Sequence, residues 1–265
     1  MSAPKMNVEL HCHTLFSKDG LMTFDSLVHA AKSVGLDAVA ITDHDTMGGA
    51  KEFSQLAQAQ GIALEIIPGE EKTLSDGSHF IGLFLREPIE SGDLVEAIEE
   101  IESQGGVCLI PHPFRRKDGL FRGGLERLQW FEGRVAGFEL FSAKCSFAEN
   151  SKARELLSTT LSPFGGSDAH YESDLGECVN VITRSGDLKS SILGMLRRQQ
   201  PFQILGKAQR ESEPERAYAP LYYRYKKYVR VPRPLVPAAK QIYRWYRNAR
   251  HGIGGKPLRE VYAHS

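Results

Sequence analysis

Short apolar runs alternate with helix-like stretches along residues 1–206, and most of the runs end in a histidine or a carboxylate. Runs are expected at Asn7–His11, Asp37–Thr42, Ile62–Pro68, His79–Leu85, Val107–Ile110, Val135–Leu140, Ser162–Gly166 and Val179–Thr183. Helical apolar spacing falls between them, at Phe24–Val34, Gly48–Gln60, Asp93–Ser103, Phe147–Ser158 and Leu188–Arg198. Gly35, Gly61 and the Gly105-Gly106 pair stop three of these helices. Strands alternating with helices indicate an α/β fold with a largely parallel sheet. With seven or so units, a closed or distorted barrel is favoured over an open sheet.

Composition divides the chain. The 265 residues carry 33 Lys+Arg and 33 Asp+Glu, a net charge of zero. Residues 207–265 hold 14 of the bases and 4 of the acids, net +10, which leaves 19 and 29, net −10, for residues 1–206. Eight of the nine tyrosines also lie beyond residue 206. We therefore expect two parts, a barrel over 1–206 and a basic, Tyr/Arg-rich C-terminal extension over 207–265. Whole-chain neutrality excludes no anionic partner for the extension. No apolar run approaches the roughly 20 residues of a membrane span. The N-terminus lacks a stretch of signal-peptide length. The expected location is the cytoplasm, with the membrane periphery as a second place if the extension binds lipid. Cys12, Cys108, Cys145 and Cys178 form no CxxC pair and read as reduced, buried residues.

The chemistry lies at the strand ends. His11 and His13 close the first run, two residues apart and so on one face of an extended chain. Asp43-His44 closes the second, Glu70 follows the third, and His79 opens the fourth. Pro111-His112-Pro113 and Gly166-Ser167-Asp168-Ala169-His170 close two more. A parallel barrel opens all its strand ends on one face. His11, His13, Asp19, His44, Glu70, His79, His112, Asp168 and His170 then form one cluster. Single histidines are usually ordinary surface or core residues, and His29, His251 and His264 are read that way. Nitrogen and oxygen ligands without thiolate suit Zn²⁺, Mn²⁺ or Fe²⁺. Nine ligands exceed one ion's need, so two or three divalent ions are expected. Such a site fits phosphoester hydrolysis, in which a metal-bound hydroxide attacks and the other ions neutralise the phosphoryl oxygens.

In this order, the motifs Glu9-Leu10-His11-Cys12-His13-Thr14, Ser17-Lys18-Asp19-Gly20, Ile41-Thr42-Asp43-His44-Asp45-Thr46, Pro68-Gly69-Glu70, His79, Pro111-His112-Pro113 and Gly166-Ser167-Asp168-Ala169-His170 resemble the PHP (polymerase and histidinol phosphatase) family of metal-dependent phosphoesterases. The resemblance covers about residues 6–205. It implies a distorted (β/α)7 barrel with a trinuclear site. His11, His13, Glu70 and Asp168 would hold one ion. Glu70, His79 and His112 would hold a second, and Asp19, His44 and His170 a third. Asp43 would orient a ligand imidazole, and Arg115, ahead of Arg116, would bind phosphate. Asp168 and His170 would assist with protons. Asp19 and the Gly-Ser-Asp-Ala-His motif make the chain most similar to members acting on nucleotides, 3′,5′-bisphosphates and short oligonucleotides. Histidinol-phosphate and phosphotyrosine phosphatases, the latter of capsule systems, are the alternatives. A further alternative is an accessory protein tethered to a membrane or complex, its barrel only partly catalytic.

The extension reads in three ways. Its bases and tyrosines could contact RNA phosphates and stack on bases. Ile242, Trp245 and Tyr246 could face lipid, with Lys240, Arg244, Arg247 and Arg250 at the head groups. It could instead pack on the acidic barrel or on a protein partner.

Overall fold

Local signals set most of the element boundaries. Helix α1 (Phe24–Val34) begins where the Thr23 side chain accepts from the Ser26 backbone and Ser26 returns the bond, and it ends at Gly35 with φ 69°. Helix α2 (Gly48–Gln60) ends at Gly61 with φ 61°. Asp93 and Asp187 cap α3 (Leu94–Ser103) and α6 (Leu188–Leu196). Between these lie the short α4 (Leu128–Phe131) and α5 (Phe147–Leu157). The strands are β1 (Lys5–Cys12), β2 (Ala38–Ile41), β3 (Glu65–Thr73), β4 (His79–Leu83), β5 (Val107–Ile110), β6 (Gly137–Ser142), β7 (Pro163–Gly166), β8 (Cys178–Thr183), β9 (Phe202–Lys207) and β10 (Leu258–His264). This computed structural model describes residues 3–126, 128–157, 161–209 and 258–264, without the side chains of 156 and 157.

One curled sheet runs in the order β10-β9-β8-β1-β2-β3-β4-β5-β6-β7. The β1-β2-β3 and β5-β6-β7 neighbours are parallel, as the alternation suggests. The remaining pairs are antiparallel, so the sheet is mixed and the simple (β/α)7 count does not describe it. Residues 74–78 are too short a link between β3 and β4 for a parallel crossover, which needs a dozen residues or more.

The sheet curls until β7 faces β1 and β8. Side chains bridge that seam. Buried Asn180 accepts from Gly165 N (2.8 Å) and donates to Gly165 O (2.8 Å) and Val8 O (3.1 Å). Glu9 Oε1 accepts from His11 N and from Ser167 N, both at 3.0 Å. An isolated parallel bridge, Cys12 to Ala169, completes the contact.

Strand β2 shows how the core is divided. Ala38 and Ala40 join a cluster containing Val8, Leu10, Ile67, Ile81 and Phe138. Val39 and Ile41 face a second cluster built from Leu27 of α1 and Phe53 of α2. Burial on both faces explains the unbroken apolar run. All four cysteines are free and buried. Among the described residues, no helix is long and apolar enough to cross a membrane. Strand β10, inside the segment read as an extension, pairs along β9 from Leu258↔Lys207 to His264↔Phe202. The stretches Tyr218–Arg230 and Ala238–Arg250 lie outside the described residues.

Candidate metal centre

Glu71 occupies the middle of the site. Its Oε2 lies 3.3 Å from His11 Nε2, 3.2 Å from His13 Nε2 and 3.2 Å from His44 Nδ1. Its Oε1 lies 3.0 Å from His79 Nδ1 and 2.8 Å from His112 Nε2. Five imidazoles thus converge on one fully buried carboxylate. Asp168 adds Oδ1, 3.6 Å from His11 Nε2, 3.2 Å from His13 Nε2 and 3.5 Å from His170 Nδ1. On the outer side, Asp19 Oδ2 lies 3.7 Å from His44 Nε2 and 3.5 Å from His170 Nε2.

Eight of the nine expected ligands therefore meet, and Glu70 does not. Neighbouring residues of a strand face opposite ways. Glu70 turns from the cluster, and its Oε2 accepts from Ile89 N at 3.0 Å. Burial pushes its carboxyl up to about 7. Thr73 pairs with His79 across the β3–β4 hairpin, and Glu71, two residues before Thr73, shares that face. The alternation was available in the sequence, because Pro68-Gly69-Glu70-Glu71 offers two carboxylates and only one can face His79.

Asp43 also differs from expectation. It accepts from Thr14 N (2.6 Å) and Thr14 Oγ1 (2.7 Å), fixing the loop after His13 and contacting no ligand imidazole. Ser17 orients His13 instead, with Oγ 3.2 Å from Nδ1, and accepts from His44 N at 2.8 Å. Glu139 Oε1 lies 3.2 Å from His11 Nδ1, and Glu139 Oε2 accepts from His112 N at 2.6 Å. Asp118 joins His79 and His112 in a further group. Neither Glu139 nor Asp118 stands in a pattern that singles it out in sequence.

Arg115 borders the cluster. Its Nη1 donates to Asp168 Oδ2 at 2.6 Å and its Nε donates to Asp118 Oδ1. The side chain keeps 19% exposure beside partners at 3%, so it forms the wall between the buried cluster and solvent.

The electrostatics are those of a site built around cations. Burial pushes Glu71 and Asp168 up, but the imidazoles around them, and Arg115 beside Asp168, outweigh this and hold both well below the usual carboxylate range. Burial pulls His44 down to about 3. Burial also works against charge on His13, yet Asp168 and Glu71 raise it to about 9. Glu71 Oε2, His44 Nδ1 and Asp118 Oδ2 are buried with no hydrogen-bond partner among the described residues. Buried orphans of this kind are costly, and here donors and acceptors converge within coordination range. The donor set, imidazole nitrogen with carboxylate oxygen, fits borderline divalent ions. His112 and Asp168 have positive φ, 26° and 49°. Such conformations cost of order 1–3 kcal/mol each and gather at functional sites.

A model described as PHP domain matches residues 9–112, and one described as PHP-associated matches 148–201. An uncharacterised protein of Methanocaldococcus jannaschii is 36% identical over 120 residues, 41% of this chain and 68% of the relative. The chain belongs to the PHP family, whose members are metal-dependent hydrolases. The 5′-3′ exoribonuclease Rnm of Salmonella typhimurium is 43% identical over 63 residues, 24% of this chain and 21% of the relative. The fold is shared with a two-domain protein of Bacteroides vulgatus containing a PHP-like metal-dependent phosphoesterase, at TM-score 0.61 and 22% identity, over 77% of this chain and 67% of that one.

Proposed function

We propose that the protein is a metal-dependent phosphoesterase acting on a phosphate monoester or diester, with a nucleotide, a 3′,5′-bisphosphate or a short oligonucleotide as substrate. The observation that carries this is Glu71, one carboxylate set among five imidazoles with Arg115 beside it. His11, His13, Glu71 and Asp168 would hold one ion. Glu71, His79 and His112, with Asp118, would hold a second, and Asp19, His44 and His170 a third. Bound there, Mn²⁺, Zn²⁺ or Fe²⁺ supplies Lewis-acid neutralisation of phosphoryl oxygens and lowers the pKa of water.

The chain's own groups do the rest. Arg115, fixed at Nε and Nη1, offers its remaining N–H groups to a phosphate oxygen. Asp168, held ionised with Oδ2 on Arg115, would orient an attacking water rather than deprotonate it. His170, with 17% side-chain exposure and Nδ1 2.9 Å from Asp168 O, would carry the water's proton toward solvent. The Asp19 and Gly-Ser-Asp-Ala-His pattern and the match to an exoribonuclease over 63 residues favour the nucleotide class.

A phosphoester panel tests the reading. It contains nucleotides, bisphosphates, oligoribonucleotides, histidinol phosphate and phosphotyrosine, each with Mn²⁺ and with Zn²⁺. Fastest turnover is expected on a nucleotide-type substrate, and His11→Ala or Asp168→Ala should abolish it while leaving the fold intact. Preference for histidinol phosphate or phosphotyrosine would refute the substrate class. Failure on the whole panel would refute the phosphoesterase.

A further inference from the structure

We infer that Glu139 is a positioning residue that couples two of the proposed ion sites through one carboxylate, an inference that rests on the metal reading of His11 and His112. Glu139 lies on β6 and is 1% exposed. Its two oxygens serve different ligands. Oε1 meets the ring of His11 at Nδ1, 3.2 Å away, and Oε2 accepts the backbone N–H of His112 at 2.6 Å.

Both contacts require an acceptor. His11 presents Nε2 to Glu71, Asp168 and His13. A nitrogen that holds a cation carries no proton, so the proton of a neutral His11 ring sits on Nδ1 and points at Glu139. The His112 amide is a donor by nature. Its direction matters, because His112 stands at an uncommon φ of 26° and this bond holds its backbone there. A carboxylate accepts on both oxygens, whereas a carboxamide accepts on one and donates on the other. Glutamine at 139 therefore sets an N–H against an N–H at one of the two sites, whichever way the amide turns.

Strand β7 packs closely on this pair: a Cβ added at Gly166 would stand 2.0 Å from Glu139 Oε1 and 2.8 Å from His11 Cβ. His11 belongs to the first proposed site and His112 to the second. Glu139 thus sets the tautomer of a ligand in one and the backbone of a ligand in the other.

The experiment titrates metal-stripped wild type and Glu139→Gln with Zn²⁺ alone, by calorimetry, after circular dichroism has shown that both are folded. The expected result is a roughly 10–100-fold loss of affinity in Glu139→Gln. The loss should touch more than one binding step. Equal affinity in the two folded proteins would overturn the inference. Nitrogen-15 imidazole spectra of Zn²⁺-loaded wild type provide a test that needs no variant. The proton of His11 is expected on Nδ1, and a proton on Nε2 would equally overturn the inference. If wild type binds no Zn²⁺, the metal reading fails and the coupling inferred for Glu139 falls with it, whereas Zn²⁺ binding of equal affinity in both proteins overturns the role of Glu139 alone.

Discussion

Two adjacent glutamates with opposite surroundings decide the chemistry at the residue scale. Glu71→Gln removes a charge from among five imidazoles and is expected to abolish activity. Glu70→Gln should leave metal content unchanged, because its carboxylate serves Ile89 N. It should also change the pH dependence of stability. The folded carboxyl of Glu70 titrates near 7 against an ordinary 4.5, so the folded state binds the proton more tightly. Stability from this group is present at low pH and is lost as pH rises from about 4.5 to about 7. Relative to wild type, Glu70→Gln should therefore gain stability on going from about pH 5 to about pH 8, by on the order of 3 kcal/mol. Urea unfolding at the two pH values measures this, and a pH-independent difference would contradict it. Arg115→Ala leaves Asp168 and Asp118 without their shared cation and removes the phosphate donor. A fall of about 10²–10³ in kcat/KM is expected, with Arg115→Lys failing to restore it because a point charge cannot bridge both carboxylates. Steady-state kinetics on the best panel substrate decides it.

Elements carry these residues to one place, and part of that was legible in the sequence. The β1, β2 and β5–β7 strand ends were readable as a row of chemistry, since hydrophobic runs between capped helices leave little freedom. The antiparallel strands were less so. A helix separates β4 from β5 and β8 from β9, yet both pairs are antiparallel, so the helix alone does not reveal direction. The β3–β4 hairpin was readable from its short link, and reading it would have put Glu71 rather than Glu70 opposite His79. Asp118 and Glu139 could not be read, because their places in the site come from residues distant in sequence, His79 for Asp118 and His11 and His112 for Glu139. The close approach of β7 to β1 yields a stability prediction. Gly166→Ala forces a methyl into the Glu139–His11 contact and should cost about 1–3 kcal/mol, with metal affinity falling as well. Thermal unfolding of the metal-free and Zn²⁺-loaded variant reports both effects, and an unchanged midpoint in both states would contradict the seam described.

For the whole molecule, the division of charge acquires a different boundary. The basic segment does not simply follow the barrel, because β10 returns to the sheet beside β9. Residues 210–257 connect two paired strands, with 12 Lys+Arg against 3 Glu, net +9. Lys207 and Leu258 are cross-strand partners, so a short Asn-Gly turn can replace the intervening residues and keep the hairpin. Such a deletion should retain hydrolysis of small phosphoesters. Loss of anionic-vesicle binding would support a membrane role for the segment, and selective loss of activity on oligoribonucleotides a nucleic-acid role. Loss of small-substrate turnover in a folded deletion protein would contradict the separation of the two parts. The central claim for the molecule is that Glu71 and the histidines around it hold a multinuclear centre. Elemental analysis of wild type and Glu71→Gln after equilibration with Mn²⁺ and Zn²⁺ tests it most directly. Two or three ions per chain are predicted for wild type, falling by at least one and by more if the sites are coupled in Glu71→Gln. A metal-free wild type, or a folded Glu71→Gln protein with the full complement, would contradict it.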